Sequence, residues 1–364
     1  MKLKFQKDDA LRIMQHLQGI VGTKSMLPIL SHIIMETSPR GVEMIASDLE
    51  IWISCSLPAE VAEAGASSIP GRRLFNIIKE MPGAGISLET GEDNVTRITC
   101  ARSFFQLKGL PREEFPAAPD LKNAVAIKIR QAELKSLIKK TAYAISLDET
   151  RHFMNGLHLI FEEGELTAVA TDGRRMAMAK TECVLPADFK KEIILPYKAV
   201  QELGRILEDD GECVIKLGDR QVAFEFPGIL MISRLVEGRF PDYRQVIPQE
   251  QGTTLELPRL DFMQVVKRAS LINDEKSNSV RFTFGNKLAR ISAVTPDVGE
   301  ARDELQIDYD GEEIEIAFNP IFIIDVLKAL DDEDKIKLQL INPESPGVFK
   351  TDGRFLCVLM PMKL

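Results

Sequence analysis

Three aspartates recur at similar places along the chain and are the side chains best placed to form a reaction centre: Asp48, Asp172 and Asp297. Carboxylates are the ligands that hard divalent cations prefer, so one hypothesis is a metal-dependent hydrolase built on these residues. The sequence places no nucleophile or base at a recognisable spacing beside them. Calorimetry of divalent-metal binding would separate this hypothesis from the others.

The motifs that would complete an enzyme are missing from the sequence. Segment 19–25 superficially suggests a phosphate-binding loop, but only two residues separate its glycines and a threonine precedes Lys24 where that loop needs glycine. His152 and His158 stand six residues apart with no third ligand in sight. The Thr-Asp-Gly-Arg segments at 171–174 and 351–354 are typical of turns between strands. We therefore expect no catalytic residues, no metal and no cofactor.

The composition is that of a folded protein. The 364 residues are 45% hydrophobic and 28% charged, with a net charge of −9, which argues against disorder. Five cysteines at irregular spacings predict free thiols in a reducing compartment. The N-terminal residues lack the apolar core of a signal peptide, and no apolar run approaches the roughly 20 residues that span a bilayer. These features predict a cytoplasmic protein with two or three domains.

The elements that would position any site repeat three times along the chain. Short strands of period two begin at Leu3, Ile127 and Leu255, about 124 and 128 residues apart. Each strand precedes a segment whose apolar residues recur every three or four positions, which predicts a helix with one buried face. Each repeat therefore begins with a strand and an amphipathic helix.

A second helix in each repeat follows Pro70, Pro196 or Pro320. Proline suits the first turn of a helix because its missing N–H has no intrahelical partner there. Polar turns and further strands come next, and the last strands are predicted at 104–107, 230–235 and 355–360. The six helices are predicted at 7–17, 72–80, 132–141, 197–208, 259–268 and 320–330.

This organisation predicts an α+β fold with three similar domains, each with two helices packed on antiparallel sheets. Proline-containing segments at 115–119 and 240–243 mark the ends of the first two repeats. We place the domains at residues 1–122, 123–248 and 249–364.

The charge is divided between the helices and the rest of the chain. The six predicted helices carry a net charge of +6, which leaves −15 elsewhere. If the helices share one face, that face is basic and would contact phosphates without reading bases. Only 6% of the residues are aromatic, and there is a single tryptophan, so stacking platforms for single strands are poorly supplied. The pattern favours duplex DNA.

Several short motifs follow one another in an order that is specific to one family. They are Leu-Pro-Ile-Leu at 27–30, Thr-Asp-Gly-Arg-Arg at 171–175, Gly-Arg-Phe-Pro-Asp-Tyr at 238–243 and Val-Leu-Met-Pro-Met-Lys-Leu at 358–364. Together with the threefold repeat, they closely resemble the bacterial DNA sliding clamps, the beta subunits of the replicative DNA polymerase, over the whole chain. The apolar end of the chain predicts a strand that runs to the last residue.

The resemblance implies the DNA clamp fold and a head-to-tail homodimer that forms a ring of six domains. Helices would line the hole, sheets would form the rim, and the ring would encircle duplex DNA and tether the polymerase without catalysing a reaction. The implied partners are duplex DNA without sequence preference, the replicative polymerase, a separate ATP-driven clamp loader, and other polymerases and repair proteins that carry a clamp-binding peptide. No membrane partner is implied.

The resemblance also implies a hydrophobic peptide-docking pocket between the second and third domains. Methionines suit such a pocket because their flexible side chains adapt to several peptides. Gln245 stands where relatives often have arginine, and His152 and Phe153 lie where aromatic residues are common. The matching positions are Met154, Thr171, Gly173, Arg175, Met176, Pro241, Val246, Val358, Met360, Pro361 and Met362.

Basic residues match the family at the surface that faces DNA. Lys24, Arg72 and Arg73 occupy such positions, and the neighbouring Lys139 and Lys140 would add to them.

The resemblance implies a dimer contact between the first domain of one chain and the third domain of the other. Phe105 and Leu107 would meet Leu271 and Ile272. Pairing of strand edges across this contact would remove exposed edges, and a head-to-tail contact that closes makes a ring.

A third hypothesis is a repeat scaffold that binds proteins but never DNA. Association with DNA that weakens as salt rises would distinguish a clamp from such a scaffold.

Overall fold

The computed structural model describes residues 1–22, 27–39, 41–83, 85–121, 124–148, 150–250, 252–274, 278–296, 298–351 and 353–363. The chain forms two compact units. Unit 1 comprises Met1–Ala132 and Gln201–Leu235, and unit 2 comprises Glu133–Val200 and Val236–Leu364. Over the described part of the chain, no helix combines the length and apolarity that a membrane crossing requires.

Six α-helices occur in the described residues, close to the predicted bounds. In the first, the buried side chains are Ala10, Ile13, Met14 and Leu17, so the three- and four-residue spacing lines one face as predicted. The fourth helix ends two residues earlier than expected. The helices are α1 (Lys7–Leu17), α2 (Gly71–Glu80), α3 (Gln131–Thr141), α4 (Tyr197–Ile206), α5 (Arg259–Ala269) and α6 (Pro320–Ala329).

The prolines before the second helices do not all play the predicted part. Pro320 is the first residue of α6, and the side chain of Asn319 caps this helix by accepting from the Ile321 N–H at 2.9 Å. Pro70 and Pro196 instead end the strands that precede α2 and α4. At Pro70, ψ is 109°, so the backbone is still extended there and the prediction of a first-turn proline is wrong. Proline's narrow φ suits both positions.

Twenty-five strands occur in the described residues. In chain order they are β1 (Lys2–Gln6), β2 (His32–Ser38), β3 (Gly41–Ser47), β4 (Ile51–Leu57), β5 (Ala59–Glu63), β6 (Ala66–Pro70), β7 (Gly85–Thr90), β8 (Val95–Cys100), β9 (Ser103–Lys108), β10 (Val125–Arg130), β11 (Gly156–Glu162), β12 (Glu165–Thr171), β13 (Arg175–Glu182), β14 (Lys191–Pro196), β15 (Glu212–Leu217), β16 (Gln221–Phe226), β17 (Ile229–Arg234), β18 (Thr253–Pro258), β19 (Val280–Gly285), β20 (Leu288–Thr295), β21 (Gly299–Gln306), β22 (Ile314–Phe318), β23 (Lys335–Leu340), β24 (Gly347–Lys350) and β25 (Phe355–Leu359).

Each unit contains one eight-stranded antiparallel sheet and one smaller sheet. In unit 1 the large sheet has the order β10-β15-β16-β17-β4-β3-β2-β6, and the small sheet has the order β5-β1-β7-β8-β9. In unit 2 the large sheet has the order β18-β23-β24-β25-β13-β12-β11-β14, and the small sheet has the order β21-β20-β19-β22. The two large sheets place corresponding strands of the sequence repeats at corresponding positions.

The compact units do not coincide with the repeats of the sequence. Each large sheet joins four strands of one repeat to four strands of the next, through the central pairs β17·β4 and β25·β13. In the first central pair Ile232 lies opposite Trp52, and in the second Val358 lies opposite Met176. Strand pairing therefore binds successive repeats into one core.

The helices cover one face of the sheets. In unit 1, α1 and α2 pack against each other and on β2, β3, β4 and β6, and they bury Leu17, Leu74 and Ile78. In unit 2, α5 and α6 pack together, and Phe262 of α5 lies 5.9 Å from Phe282 of β19 between ring centroids. The exclusion of these apolar side chains from water is the main stabilisation of each layer.

All five cysteines are free thiols inside the protein, as the irregular spacing predicts. Burial raises the pKa of Cys55, Cys213 and Cys357 to about 12, and it also raises the pKa of Cys183. A thiol with a raised pKa holds little of the reactive thiolate at neutral pH.

Candidate nucleic-acid and peptide interfaces

The floor of the predicted peptide pocket lies on the central pair of the large sheet in unit 2. Met176 and Val358 face each other across β13 and β25, and both are buried. Phe240 and Tyr243 belong to the same apolar cluster. Two strands from different repeats therefore supply one continuous apolar surface.

Six further positions of the predicted pocket differ in exposure. Val246, Met360 and Met362 are exposed, whereas Met154, Pro241 and Pro361 are half-buried. Exposed methionines beside a buried apolar floor make a surface that adapts to an apolar ligand.

The last strand does not run to the end of the chain. β25 ends at Leu359, and the tail beyond it is held by two backbone bonds: the Met360 N–H donates to the Arg174 carbonyl at 2.9 Å, and the Met362 N–H donates to the Ala317 carbonyl at 2.8 Å. Pro361, which has no N–H, lies between them and cannot continue the ladder. The prediction of a strand to the last residue is therefore wrong.

The turn before β13 is specified by its own side chains. Thr171 Oγ1 donates to the Arg175 carbonyl at 2.7 Å and accepts from the Gly173 N–H at 3.1 Å, and Asp172 Oδ1 accepts from two backbone N–H groups. Gly173 has φ +84°, a conformation that glycine adopts at little cost. Asp172 thus serves a turn rather than a metal.

Arg175 is satisfied within the protein rather than offered to a ligand. Its Nη1 donates to Asp325 at 2.8 Å, its Nε donates to Asp172 at 3.1 Å and its Nη2 donates to the Tyr143 carbonyl at 2.5 Å. The guanidinium also lies over the rings of Tyr143 and Phe322, at 5.2 and 4.3 Å from their centroids. Arg175 links the turn before β13 to Asp325, Tyr143 and Phe322, which are partners that sequence reasoning missed.

A cavity of about 600 Å³ adjoins the same turn. It shares Gly173 and Arg175 with the predicted pocket and adds Tyr143, Leu147 and Phe322. Leu147 is among the most exposed apolar side chains of the described residues. Residues outside the predicted set therefore border the same turn.

A buried histidine contacts the apolar cluster that contains Met176 and Val358. His158 stacks on Phe240 with 4.6 Å between ring centroids, and its Nε2 lies 3.2 Å from a Glu192 carboxylate oxygen. Burial lowers the pKa of His158, with Arg244 acting in the same direction and Glu192 opposing it. Burial therefore favours the neutral imidazole at this position.

The positions that depart from the family pattern lie on the surface. Gln245 Nε2 donates to Asp242 at 3.1 Å, so this side chain is tied to the segment that carries Pro241. His152 and Phe153 are exposed in a short 3-10 helix.

The predicted DNA-contacting arginines are exposed on one helix. Arg72 and Arg73 both lie in the first turn of α2 and border a cavity of about 490 Å³ with Gln18, Ser31 and Asn76. Lys24, the third residue predicted for this surface, lies outside the described residues.

The two lysines of α3 are paired with acidic residues that follow α6. Lys139 forms an ion pair with Asp331, and Lys140 Nζ donates to Asp332 at 2.8 Å. The Lys139 contact lowers the pKa of Asp331. Their charge is therefore compensated locally, which sets them apart from Arg72 and Arg73.

The predicted dimer residues differ in exposure. Phe105 of β9 is 40% exposed, and Leu271, just after α5, is 81% exposed, whereas Ile272 is half-buried. Leu107 is only 8% exposed, so little of its side chain is available to a second chain. The dimer contact of all four residues stays a prediction.

The aspartates of the hydrolase hypothesis do not form a centre in the described structure. Asp48 Oδ1 accepts from the Glu50 and Ile51 N–H groups of its turn, just as Asp172 does in its own turn. Asp297 lies outside the described residues. Among the described residues, no three His, Cys, Asp or Glu side chains come together as a metal site.

Comparison with family models covers nearly the whole chain. Residues 1–119 match the N-terminal domain of the DNA polymerase III beta subunit, residues 128–242 match its central domain and residues 244–363 match its C-terminal domain.

Full-length relatives and solved structures agree with these matches. The beta sliding clamp of Chlamydia pneumoniae is 33% identical, over 100% of this chain and 99% of that protein. The crystal structure of the Bacillus subtilis DNA polymerase sliding clamp has a TM-score of 0.94 at 29% identity, over 100% of this chain and 99% of that chain. A Pseudomonas aeruginosa sliding clamp bound to griselimycin has a TM-score of 0.95 at 30% identity, with both chains fully covered.

Proposed function

Because the chain belongs to the DNA polymerase III beta subunit family, the bacterial beta sliding clamps, we propose that two copies close into a ring around duplex DNA and tether the polymerase without catalysing a reaction themselves. Family membership makes the chain a DNA sliding clamp that gives the replicative polymerase its processivity. It also fixes the fold class: three similar α+β domains. We place their boundaries at 1–122, 123–248 and 249–364.

The proposed ring is supported by two strands, β9 and β21, that lie at the edges of the small sheets. In both large sheets, the last strand of one repeat pairs with the fourth strand of the repeat before it, as β17·β4 and β25·β13. The last strand of the first repeat is β9, and the fourth strand of the third repeat is β21. Neither is paired in this way, and each lies at the edge of a small sheet. Antiparallel pairing of β9 with β21 of a second copy would join the five-stranded and the four-stranded sheet into one sheet of nine strands and would remove both edges. Two such contacts in a dimer close the ring.

Exposed apolar side chains flank these edges. Phe104 and Phe105 project from β9, and Leu271 lies in a short helix packed against β21. Phe105 of one copy would meet Leu271 and Ile272 of the other, where burial of apolar area favours association. Leu107 would contribute only its backbone to the strand pair.

Contact with DNA would rest first on Arg72 and Arg73. Their guanidinium groups are exposed and would act on backbone phosphates, a contact that carries no sequence information and permits sliding. We add Lys24 to this surface because it matches a basic position of the family. Lys139 and Lys140 would contribute less, because Asp331 and Asp332 already neutralise them.

Polymerase docking would use the apolar surface of unit 2. Met176 and Val358 form its floor, and Val246, Met360 and Met362 form its rim. Apolar side chains of a partner peptide would seat there. The same surface would receive the clamp loader, other polymerases and repair proteins, and loading would depend on that separate ATP-driven loader. A partner of the replicative polymerase works beside the chromosome, so we place the protein in the bacterial cytoplasm.

Negative-stain imaging of the purified protein tests the proposal most directly. We expect closed rings with a sixfold appearance and an open centre. Particles without a hole, at concentrations where the dimer persists, would overturn the ring and favour a scaffold that binds only proteins. A primer-extension assay then measures whether the protein lengthens the products of the replicative polymerase.

A further inference from the structure

The turn that precedes the peptide floor in unit 2 recurs at the matching place in unit 1. Ser47 Oγ donates to the Ile51 carbonyl at 2.9 Å, as Thr171 Oγ1 donates to the Arg175 carbonyl at 2.7 Å. In each turn, the aspartate that follows accepts hydrogen bonds from the backbone N–H groups two and three residues further on. The hydrogen bonding of the two turns is the same.

The backbone conformation of the two turns also matches. Leu49 has φ +77° at the position where Gly173 has φ +84°. A leucine in the left-handed region is strained, so the turn in unit 1 retains a shape that its own residue does not favour. Leu49 is exposed, as is Leu27, which precedes the buried Ile29 and Leu30 in sequence.

The floors behind these turns correspond residue by residue. Trp52 lies opposite Ile232 in the central pair of unit 1, where Met176 lies opposite Val358 in unit 2. The buried cluster around Trp52 contains Phe115, and that around Met176 contains Phe240. Trp52 thus occupies the position of the pocket methionine.

We propose that Trp52 plugs a second, diverged copy of the peptide groove in unit 1, and that this side chain limits each chain to one open groove. The inference rests on the peptide groove proposed for unit 2. Trp52 is 8% exposed and packs with Leu30, Phe115 and Ile232. A bulky, rigid indole fills a space that a flexible methionine leaves available to a ligand. The plugged groove would accept an apolar peptide segment once opened.

A reciprocal exchange of the two floor residues tests the plug. The four chains are the wild type, Trp52→Met, Met176→Trp and the double variant. The probe is the shortest fragment of the replicative polymerase that binds the wild-type chain and lacks tryptophan, and the readout is the number of sites per chain by calorimetry. We expect one site in the wild type, a second and weaker site in Trp52→Met, and at least about tenfold weaker binding in Met176→Trp. The double variant should bind only through the opened groove.

Each comparison decides a different claim. The wild type against Met176→Trp decides the groove in unit 2, and equal affinity would remove that proposal. The plug is tested by comparing the chains that carry Trp52→Met with those that keep Trp52, both with Met176 and with Met176→Trp. A site that is present only when Trp52 is replaced supports the plug. A folded Trp52→Met chain with no added binding, at fragment concentrations about 100-fold above the first Kd, would overturn it. Trp52→Leu is judged by the same criterion if Trp52→Met unfolds.

Fluorescence gives an independent reading, because Trp52 is the single tryptophan of the chain. Its emission should stay unchanged when the fragment saturates the wild-type protein, since the groove around it is closed. An emission shift that follows the binding curve would mean that the fragment enters unit 1 despite the indole, and the plug would then be wrong.

Discussion

Asp325 of α6 accepts a hydrogen bond from Arg175 Nη1 at 2.8 Å, across 150 residues of sequence. Arg175 begins β13, directly after the turn that borders the peptide floor. Both side chains are largely buried, and the guanidinium lies against the Phe322 ring of the same helix. The Arg175 guanidinium therefore links helix α6 to the turn before β13.

Removing the charge of Asp325 should destabilise this arrangement. In Asp325→Asn, Arg175 keeps Asp172 and the Tyr143 carbonyl but loses one carboxylate, so we expect the free energy of unfolding to fall by about 1–3 kcal/mol. Urea unfolding measures the change. The matched control is Glu315→Gln, which breaks an exposed pair with Arg281 and should cost less than about 1 kcal/mol. Equal losses in the two variants would argue against a special role for the buried pair.

The arginines of α2 should dominate the salt dependence of DNA association. Loss of both charges in Arg72→Ala/Arg73→Ala should reduce the slope of log K against log salt by about two per chain, because the loss of two phosphate contacts means that fewer counterions are released. Fluorescence anisotropy on a labelled duplex at several salt concentrations measures the slope.

The lysine pair provides the comparison for that experiment. Lys139→Ala/Lys140→Ala should change the slope less, because Asp331 and Asp332 already compensate these charges. Arg97→Ala removes an exposed arginine on β8 and should leave the slope unchanged. A slope change as large for the lysines as for the arginines would mean that the ion pairs open on DNA.

The dimer should depend on exposed side chains and not on Leu107. We expect Phe105→Arg and Leu271→Ala to give monomers by sedimentation velocity, because each disturbs apolar area at the proposed contact. Leu107→Ala should instead lower the stability of the chain by about 2–5 kcal/mol through a buried cavity. Val184→Ala, at an exposed site outside β9 and β21, should remain dimeric. Dimeric Phe105→Arg and Leu271→Ala would place the interface elsewhere.

The tail should be required for the polymerase but not for the ring. Deletion of residues 360–364 removes Met360 and Met362 from the rim and should abolish polymerase binding in a surface-plasmon-resonance assay. Sedimentation velocity should still report a dimer, because the proposed contact uses β9 and β21. Unchanged polymerase affinity would remove the rim from the docking surface.

Stability should fall as the pH drops below the ordinary pKa of histidine. Burial lowers the pKa of His158 from 6.5, so the unfolded chain binds this proton more tightly than the folded chain, and stability present above pH 6.5 is lost below it. Burial lowers the pKa values of His16 and His32 in the same direction. His158→Gln should flatten the pH dependence of the free energy of unfolding between about pH 7 and 5.5, by at most about 1.4 kcal/mol per pH unit. The exposed His152→Gln should keep the wild-type profile, and an unchanged profile in His158→Gln would refute the assignment.

Local patterns in the sequence were sufficient for the helices. The apolar spacing of α1 predicts its bounds of 7–17, because one helix face and its flanking strand are encoded within a few turns. Strand periodicity does not give the exposure of the side chains in β9, since Phe104 and Phe105 are both exposed although neighbours in a strand face opposite sides. Leu107 shares its side of the strand with Phe105 and is nevertheless buried.

Pairings between distant segments could not be read from the sequence. Lys139 and Asp331 are separated by 192 residues, and no periodicity links them. The correspondence of Trp52 with Met176 depends on strand register, which only the folded sheets define. Resemblance to a family supplied Met176 and Val358 as pocket residues, but it could not supply Asp325 or Phe322 as the partners of Arg175.

The buried thiols make it possible to label the protein with fluorescent dyes at chosen positions. Since all five native cysteines lie in the interior, a maleimide dye should leave them unlabelled while it reacts with a new cysteine on the surface. One cysteine placed beside β9 and another beside β21 would then carry a donor and an acceptor on the native background. Energy transfer between such dyes would report each opening and closing of the proposed contact between β9 and β21.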